Sequence, residues 1–140
     1  MRADVVAEAR RWIGTPYEHQ ASCRGAGADC LGMVRGIWRS LCGAEPEVMP
    51  AYTFDWSEPA RDEVLLRAMG RYFVPVEEAV AGDVLVFRLK RGGVAKHLAV
   101  VSAPDRIIHA YSGRGVVETP LSPQWERRIA GIFRFPDRRN

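Results

Sequence analysis

Apolar residues in this chain change their spacing once, close to the middle, and that change limits the folds open to it. In the first half they recur every three or four residues, the period of helices with one buried stripe. In the second half they fall in short alternating runs between turn residues, the period of strands. Helices followed by hairpin-connected strands make an α+β domain, with N-terminal helices packed on a C-terminal antiparallel β-sheet. A chain of 140 residues has room for one real core, so residues 1–140 are read as a single domain.

Residues 4–13 are predicted to form the first helix, with Val5, Val6, Ala9, Trp12 and Ile13 inward and Gly14 as its end. Thr15-Pro16 then turns the chain into Tyr17. A second helix starts at Asp29-Cys30: Asp29 suits the N-cap, Cys30, Met33, Val34, Ile37, Trp38 and Leu41 form the stripe, and Gly43 stops it. The stretch 44–58, holding Tyr52, Phe54 and Trp56, is read as an ordered loop that either shapes a groove or covers the helices. A third helix is expected over 59–69, with Val64, Leu65, Ala68 and Met69 inward and Gly70 as its stop. An extended piece follows at 74–76, then strands at 84–89, 96–102, 106–111, 116–119 and 129–135, with a helical turn at 122–127.

Candidate chemistry gathers at Cys30. A sulfur in the first turn of a helix meets unpaired N–H groups and the positive end of the helix dipole, which lower a thiol's pKa toward thiolate. Locally, two readings stand: a nucleophile, or a small apolar residue opening a buried helix. The histidines favour the first. His97 opens one predicted strand and His109 lies near the end of the next, so a turn at Ala103-Pro104-Asp105 brings both to one end of the sheet. A three-residue turn centred on Ala103 would pair 97 with 109 and set both on one face, whereas a one-residue slip would separate them. Cys30 as nucleophile, His97 as base and His109 as the group orienting His97 then form a consistent set. The remaining histidine, His19, is expected on the surface. Tyr17 either packs by its ring or points its hydroxyl at this site.

Composition removes other classes. The net charge is +3, from 20 basic and 17 acidic residues, with no basic tract beyond the Arg138-Arg139 tail, so nucleic-acid binding has little support. Three cysteines without a framework spacing argue against a disulfide scaffold, and no CxxC pair points to structural zinc. A mixed metal site of Cys23, Cys30, His97 and His109 matches no common ligand spacing, and no metal or cofactor is expected. No apolar run is long enough for membrane insertion, and 1–4 lead into an amphipathic helix without secretion-signal features.

Five blocks resemble the NlpC-type cell-wall peptidases: Gly14-Thr15-Pro16-Tyr17, Asp29-Cys30-Leu31-Gly32-Met33-Val34, Gly82-Asp83-Val84-Leu85-Val86-Phe87, His97-Leu98-Ala99-Val100-Val101 and Ile107-Ile108-His109-Ala110. They occur in that family's order and cover nearly the whole chain. The resemblance implies a papain-like fold with a Cys-His-His triad and a cysteine endopeptidase (thiol protease) acting as a peptidoglycan hydrolase. Its substrate would be the stem peptide, cut between D-glutamate and the following diamino acid. It assigns catalysis to Cys30, His97 and His109, an oxyanion-assisting place to Tyr17, and the stem peptide's free amine to Asp29. One departure stands out: the family usually carries serine where this chain has Leu31, and that serine often helps recognise the amine.

The loop around Tyr52 to Trp56, the Ala95-Lys96-His97 lead-in and the ending from Ile129 to Pro136 also resemble the short members found in phage tails and gene transfer agents. That likeness implies synthesis in the cytoplasm without a signal peptide, phage-like tail or baseplate proteins as partners, and action at the periplasmic wall. Two alternatives use the same residues differently. One is a tail assembly or wall-binding protein that no longer needs catalysis. The other is an amidase or acyltransferase on the same Cys-His site.

Overall fold

The computed structural model describes residues 2–46 and 63–137. Among them, helices α1 (Arg2–Trp12), α2 (Cys30–Cys42) and α3 (Val64–Tyr72) precede most of the sheet, with a small antiparallel ladder, β1 (Ser22–Cys23) and β2 (Gly27–Ala28), between α1 and α2. The strands are β3 (Val74–Pro75), β4 (Val84–Arg88), β5 (Ala95–Ala103), β6 (Arg106–Tyr111), β7 (Gly115–Pro120) and β8 (Ile129–Arg134), with the one-turn helix α4 (Pro123–Glu126) before the last. They form an antiparallel six-stranded sheet in the order β3-β8-β4-β5-β6-β7. The chain therefore meanders from β4 to β7, crosses back through α4, and lays β8 against the free edge of β4. The α+β architecture is as the change of period implied.

Strand alternation divides the core in two. Val84, Val86, Leu98, Val100, Ile108 and Ala110 face α1, α2 and α3, where Val5, Trp12, Met33, Ile37, Leu65 and Met69 meet them. Leu85, Phe87, Ala99, Val101 and Ile107 face the other way and are covered by Leu121, Trp125, Ile129 and Ile132. Each large side chain withdrawn from water contributes about 1.5–3 kcal/mol, so both faces hold the sheet. Two glycines set how closely α2 approaches its neighbours. A Cβ on Gly36 would sit 2.0 Å from the Trp12 ring, and one on Gly32 would sit 1.8 Å from the Ala21 carbonyl oxygen. At the far end of the sheet, Arg134 donates twice to the fully buried Asp83, at 2.8 and 2.9 Å, closing the corner between β8 and β4.

Several expectations change. Helix α1 ends at Trp12, so Ile13 lies past its end and is exposed, and Glu8 is buried in the stripe, where it accepts a hydrogen bond from the Trp12 indole at 3.2 Å and faces Arg24. Gly70 does not stop α3, which runs to Tyr72 and ends where the Phe73 N–H reaches the Met69 carbonyl. The stretch before Asp29, where no strand is among those expected, contains β1 and β2. The aromatics Tyr52, Phe54 and Trp56, and the expected helix start at Pro59, lie outside the described residues.

The β5–β6 register also differs. Val100 stands opposite Ile108 and Val101 opposite Ile107, so His97 and His109 are not opposed as expected. The turn is the two residues Pro104-Asp105, with Ala103 opposite Arg106, and an irregularity between Val101 and Ala103 offsets the ladder beyond it. The slip from the expected register is two residues. Since side chains repeat every two residues along a strand, both histidines keep a common face.

Candidate active site

Asp29 builds the start of α2. Its backbone is extended, one carboxylate oxygen accepts the Gly32 N–H at 2.7 Å, and the other accepts the Gln20 N–H at 2.7 Å. The first contact caps the helix; the second pins a loop residue with a positive φ of 67°, uncommon for a side chain of this kind. Asp29 is buried at 3% exposure, and both of its carboxylate oxygens orient backbone. It leaves Cys30 at the first helical position, partly buried, with the thiol donating to the Lys96 carbonyl across 3.7 Å.

The sequence predicts a lowered thiol pKa here. The structure reverses that direction: burial first, then the nearby Asp29 carboxylate, push Cys30 up to about 12. Backbone N–H groups of Leu98, Leu31 and Cys30 favour the thiolate but are outweighed. The resting sulfur is a neutral thiol that needs a base.

The candidate base lies on β5. His97 stands opposite Phe87 on β4, and its Nε2 lies 2.8 Å from Nδ1 of His109 on β6. The far nitrogen of His109 lies 3.0 Å from the Thr119 hydroxyl on β7. His109 opposes Val117, so Thr119 is the diagonal neighbour two residues on, on the same face. Trp125 from α4 closes the group: its ring stacks on His97 at 5.3 Å and 24°, and stands edge-on to His109 at 5.3 Å. Burial lowers the pKa of His97 to about 3, helped by His109. Burial, then Arg114, lower that of His109 to about 4. Both imidazoles are therefore neutral near pH 7.

Neutral rings restrict the proton positions. If His97 Nε2–H donates to His109 Nδ1, then His109 Nε2–H donates to Thr119, and His97 Nδ1 keeps a lone pair. The opposite direction places a proton on Nδ1 and removes the base. No buried side-chain nitrogen or oxygen among the described residues lacks a partner, so the unbonded Nδ1 opens on solvent space. That space is a cavity of about 400 Å³ whose walls include Tyr17, Asp29, Cys30, His97 and Trp125.

Cys30, His97, Tyr17 and Asp29 thus border one cavity, and His109 backs it through His97. Tyr17 reaches it because the strand-like bridge from Tyr17 to Ala28 sets the two side by side. Burial, then Cys30 and Asp29, push the Tyr17 phenol up to about 12, so it stays a hydrogen-bond donor. Leu31, in the place of the family's serine, is an apolar part of the wall. His19 departs from expectation: it is half-buried on the cavity wall, with Nδ1 3.8 Å from Asp29, because Asp29 draws in the loop that carries it. Sequence reasoning also missed Thr119 and Trp125. Ser122-Pro123 signals a helix start before Trp125, yet no local pattern aims that ring at His97. Cys23 is exposed on β1, so the mixed four-residue metal set is not assembled. No group of three or more His, Cys, Asp and Glu among the described residues is arranged for a metal.

The profile of the NlpC/P60 family matches residues 14–134. The gamma-DL-glutamyl hydrolase of Bacillus subtilis (strain 168) is 27% identical over 132 residues, 94% of this chain but 29% of that protein. The crystal structure of the NlpC/p60 domain of peptidoglycan hydrolase SagA superposes with a TM-score of 0.63 at 26% identity, covering 95% of this chain and 97% of that one. An NlpC/P60 family protein from Bacillus cereus ATCC 10987 shares the fold with a TM-score of 0.69 at 24% identity, over 96% of this chain and 40% of that one. The chain thus spans under a third of the curated relative and under half of the Bacillus cereus protein.

Proposed function

The chain belongs to the NlpC/P60 family, and from that premise we propose that it is a cysteine peptidase hydrolysing peptide bonds in peptidoglycan stem peptides, at the bond from D-glutamate to the diamino acid. The observation carrying this reading is the shared cavity of Cys30 and His97, with His97 held from behind by His109 at 2.8 Å. The names of two relatives, gamma-DL-glutamyl hydrolase and peptidoglycan hydrolase, support the substrate class.

Cys30 Sγ attacks the scissile carbonyl carbon while its proton passes to His97 Nδ1. The carbonyl oxygen becomes an oxyanion stabilised by N–H groups at the start of α2 and by the Tyr17 hydroxyl. Collapse expels the amine, which takes the proton from His97, and leaves a thioester on Cys30. Water, losing a proton to His97, then releases the carboxylate and restores the thiol. His109 accepts from His97 Nε2–H throughout, so the ring cannot turn its lone pair away. With a buried thiol and neutral imidazoles at rest, proton transfer accompanies attack rather than preceding it.

Asp29 combines capping with a place on the cavity wall, which supports its carboxylate as the partner of a substrate amine. Leu31 offers no hydroxyl for that amine, so a free N-terminal L-alanine is not strictly required. Delivery by a phage-like tail is the finer part of the reading, supported by the resemblance around the Ala95-Lys96-His97 lead-in and the 129–136 ending. Immunodetection on purified particles tests it, and consistent absence removes it.

The decisive experiment is mass spectrometry of fragments released from purified sacculi, with Cys30→Ala as the control. New N-termini on the diamino acid, absent with Cys30→Ala, are expected. Cleavage at a sugar–peptide amide, joined peptides, or unchanged release by Cys30→Ala would sink the reading.

A further inference from the structure

A second depression opens beside the catalytic cavity, and nothing in the triad uses it. It has a volume of about 690 Å³, and five of its wall residues are cations: Arg88, Lys90, Arg91, Arg127 and Arg128. No acid lines it. Arg88 is committed to Glu63 at 2.6 Å. Lys90, Arg91, Arg127 and Arg128 are exposed, and no carboxylate among the described residues pairs with them. Two come from the β4–β5 hairpin and two from the segment after α4, elements far apart in sequence that β8 brings together beside β4. Like charges so gathered repel one another, and only solvent or a bound anion relieves this.

The depression neighbours the reacting centre. A third hollow of about 340 Å³ lies between the two, sharing Leu89, Tyr111 and Trp125 with the catalytic cavity and Gln124 and Arg128 with the cationic one. Trp125 therefore has two roles: its face covers His97, and it also forms part of the threshold. Leu89 and Tyr111 at this threshold are exposed at 45% and 41%, both on the hollow's wall and fit to support the apolar parts of an extended peptide.

We propose that this track holds the carboxylate-bearing stretch of the same peptide chain whose scissile bond lies at Cys30. The proposal rests on the peptidase reading and specifies its substrate: a peptide with several free carboxylates on one side of the cut. Guanidinium groups pair with carboxylates through two parallel hydrogen bonds, and a groove rich in arginine and free of acids suits repeated carboxylates better than a neutral chain. Such exposed pairs are individually weak and screened by salt, so the groove acts through number and on the binding of substrate rather than on the chemical step.

Binding to Cys30→Ala tests this apart from turnover. The probes are an acetylated linear tetramer of γ-linked glutamate with free α-carboxylates, its counterpart with α-carboxamides, and a polyphosphate of equal charge. The carboxylate probe is expected to bind roughly tenfold more tightly than the amide at low salt, an advantage lost by 0.5 M salt. Adding Arg91→Gln, Arg127→Gln and Arg128→Gln should remove most of that advantage. Arg11→Gln with Arg71→Gln, on the helices across the sheet, should keep it. Equal affinity for the two peptides, equal loss in the control pair, or equal affinity for polyphosphate would overturn the proposal. Charge-selective binding without any hydrolysis by the wild type would uphold the groove and sink the peptidase reading instead. Hydrolysis indifferent to the triple substitution would do the reverse.

Discussion

His97 and His109 are joined ring nitrogen to ring nitrogen at 2.8 Å although they do not oppose one another across the β5–β6 ladder. The contact is diagonal. It works because an imidazole extends far enough to reach the neighbouring strand's next position on the same face. The consequence is directional: the bond leaves from His97 Nε2, so Nδ1 is the nitrogen offered to the cavity that Cys30 lines.

Substitutions in this set should separate by role. Cys30→Ala should fold normally and abolish release of wall fragments, and His97→Ala should be nearly as inactive. His109→Ala should lose less, still roughly 100-fold or more, because it orients the base without touching substrate. Steady-state turnover on a soluble stem peptide measures all three; a Cys30→Ala variant with wild-type turnover would exclude Cys30 as nucleophile.

Thr119 should act through His109 alone. Thr119→Val removes the hydroxyl but keeps the shape, and should lower kcat by about 3- to 10-fold, the worth of one hydrogen bond. KM should hold, and Thr119→Ser should restore turnover. Equal loss in Thr119→Ser would mean that packing, not the hydroxyl, matters.

Trp125 should set the acid limit of activity. Burial holds His97 down to about 3, and the stacked indole supplies part of that burial. In Trp125→Ala the ring meets water and its pKa rises toward 6.5, so the acid limb of kcat/KM should move to higher pH. An unmoved limb would show that the rest of the site suffices. Trp125→Phe should shift it less.

Folding stability should fall in mild acid. The two histidines bind protons in the unfolded chain below about 6.5, and in the folded chain only near 3 and 4. The unfolded state therefore binds more protons between those values, and stability drops as pH falls through that window. The limiting slope is about 1.4 kcal/mol per pH unit for each histidine. Urea unfolding at pH 7 and pH 5 should show the difference, and His97→Gln with His109→Asn should remove most of it.

Gly32→Ala should weaken the fold and the site together. The added methyl meets the Ala21 carbonyl oxygen at 1.8 Å, too close for either backbone to yield cheaply. A loss of about 1–3 kcal/mol is expected, with turnover reduced because Asp29 and Cys30 share that turn. Thermal unfolding indistinguishable from wild type would contradict the close approach.

What could be read without coordinates was local in origin. A capped helix beginning at Asp29-Cys30 follows from an acceptor side chain, a free N–H behind it and an apolar stripe beyond. The change of period separates helices from strands, and alternation makes the facing of His97 and His109 insensitive to a slip of two residues. The order of strands, the exact register, the burial that turns Cys30 into a neutral thiol, and the arrival of His19, Thr119 and Trp125 were decided by tertiary packing. Each depends on groups distant in sequence and on the water they exclude together, and no single stretch of chain carries the energy of that exclusion.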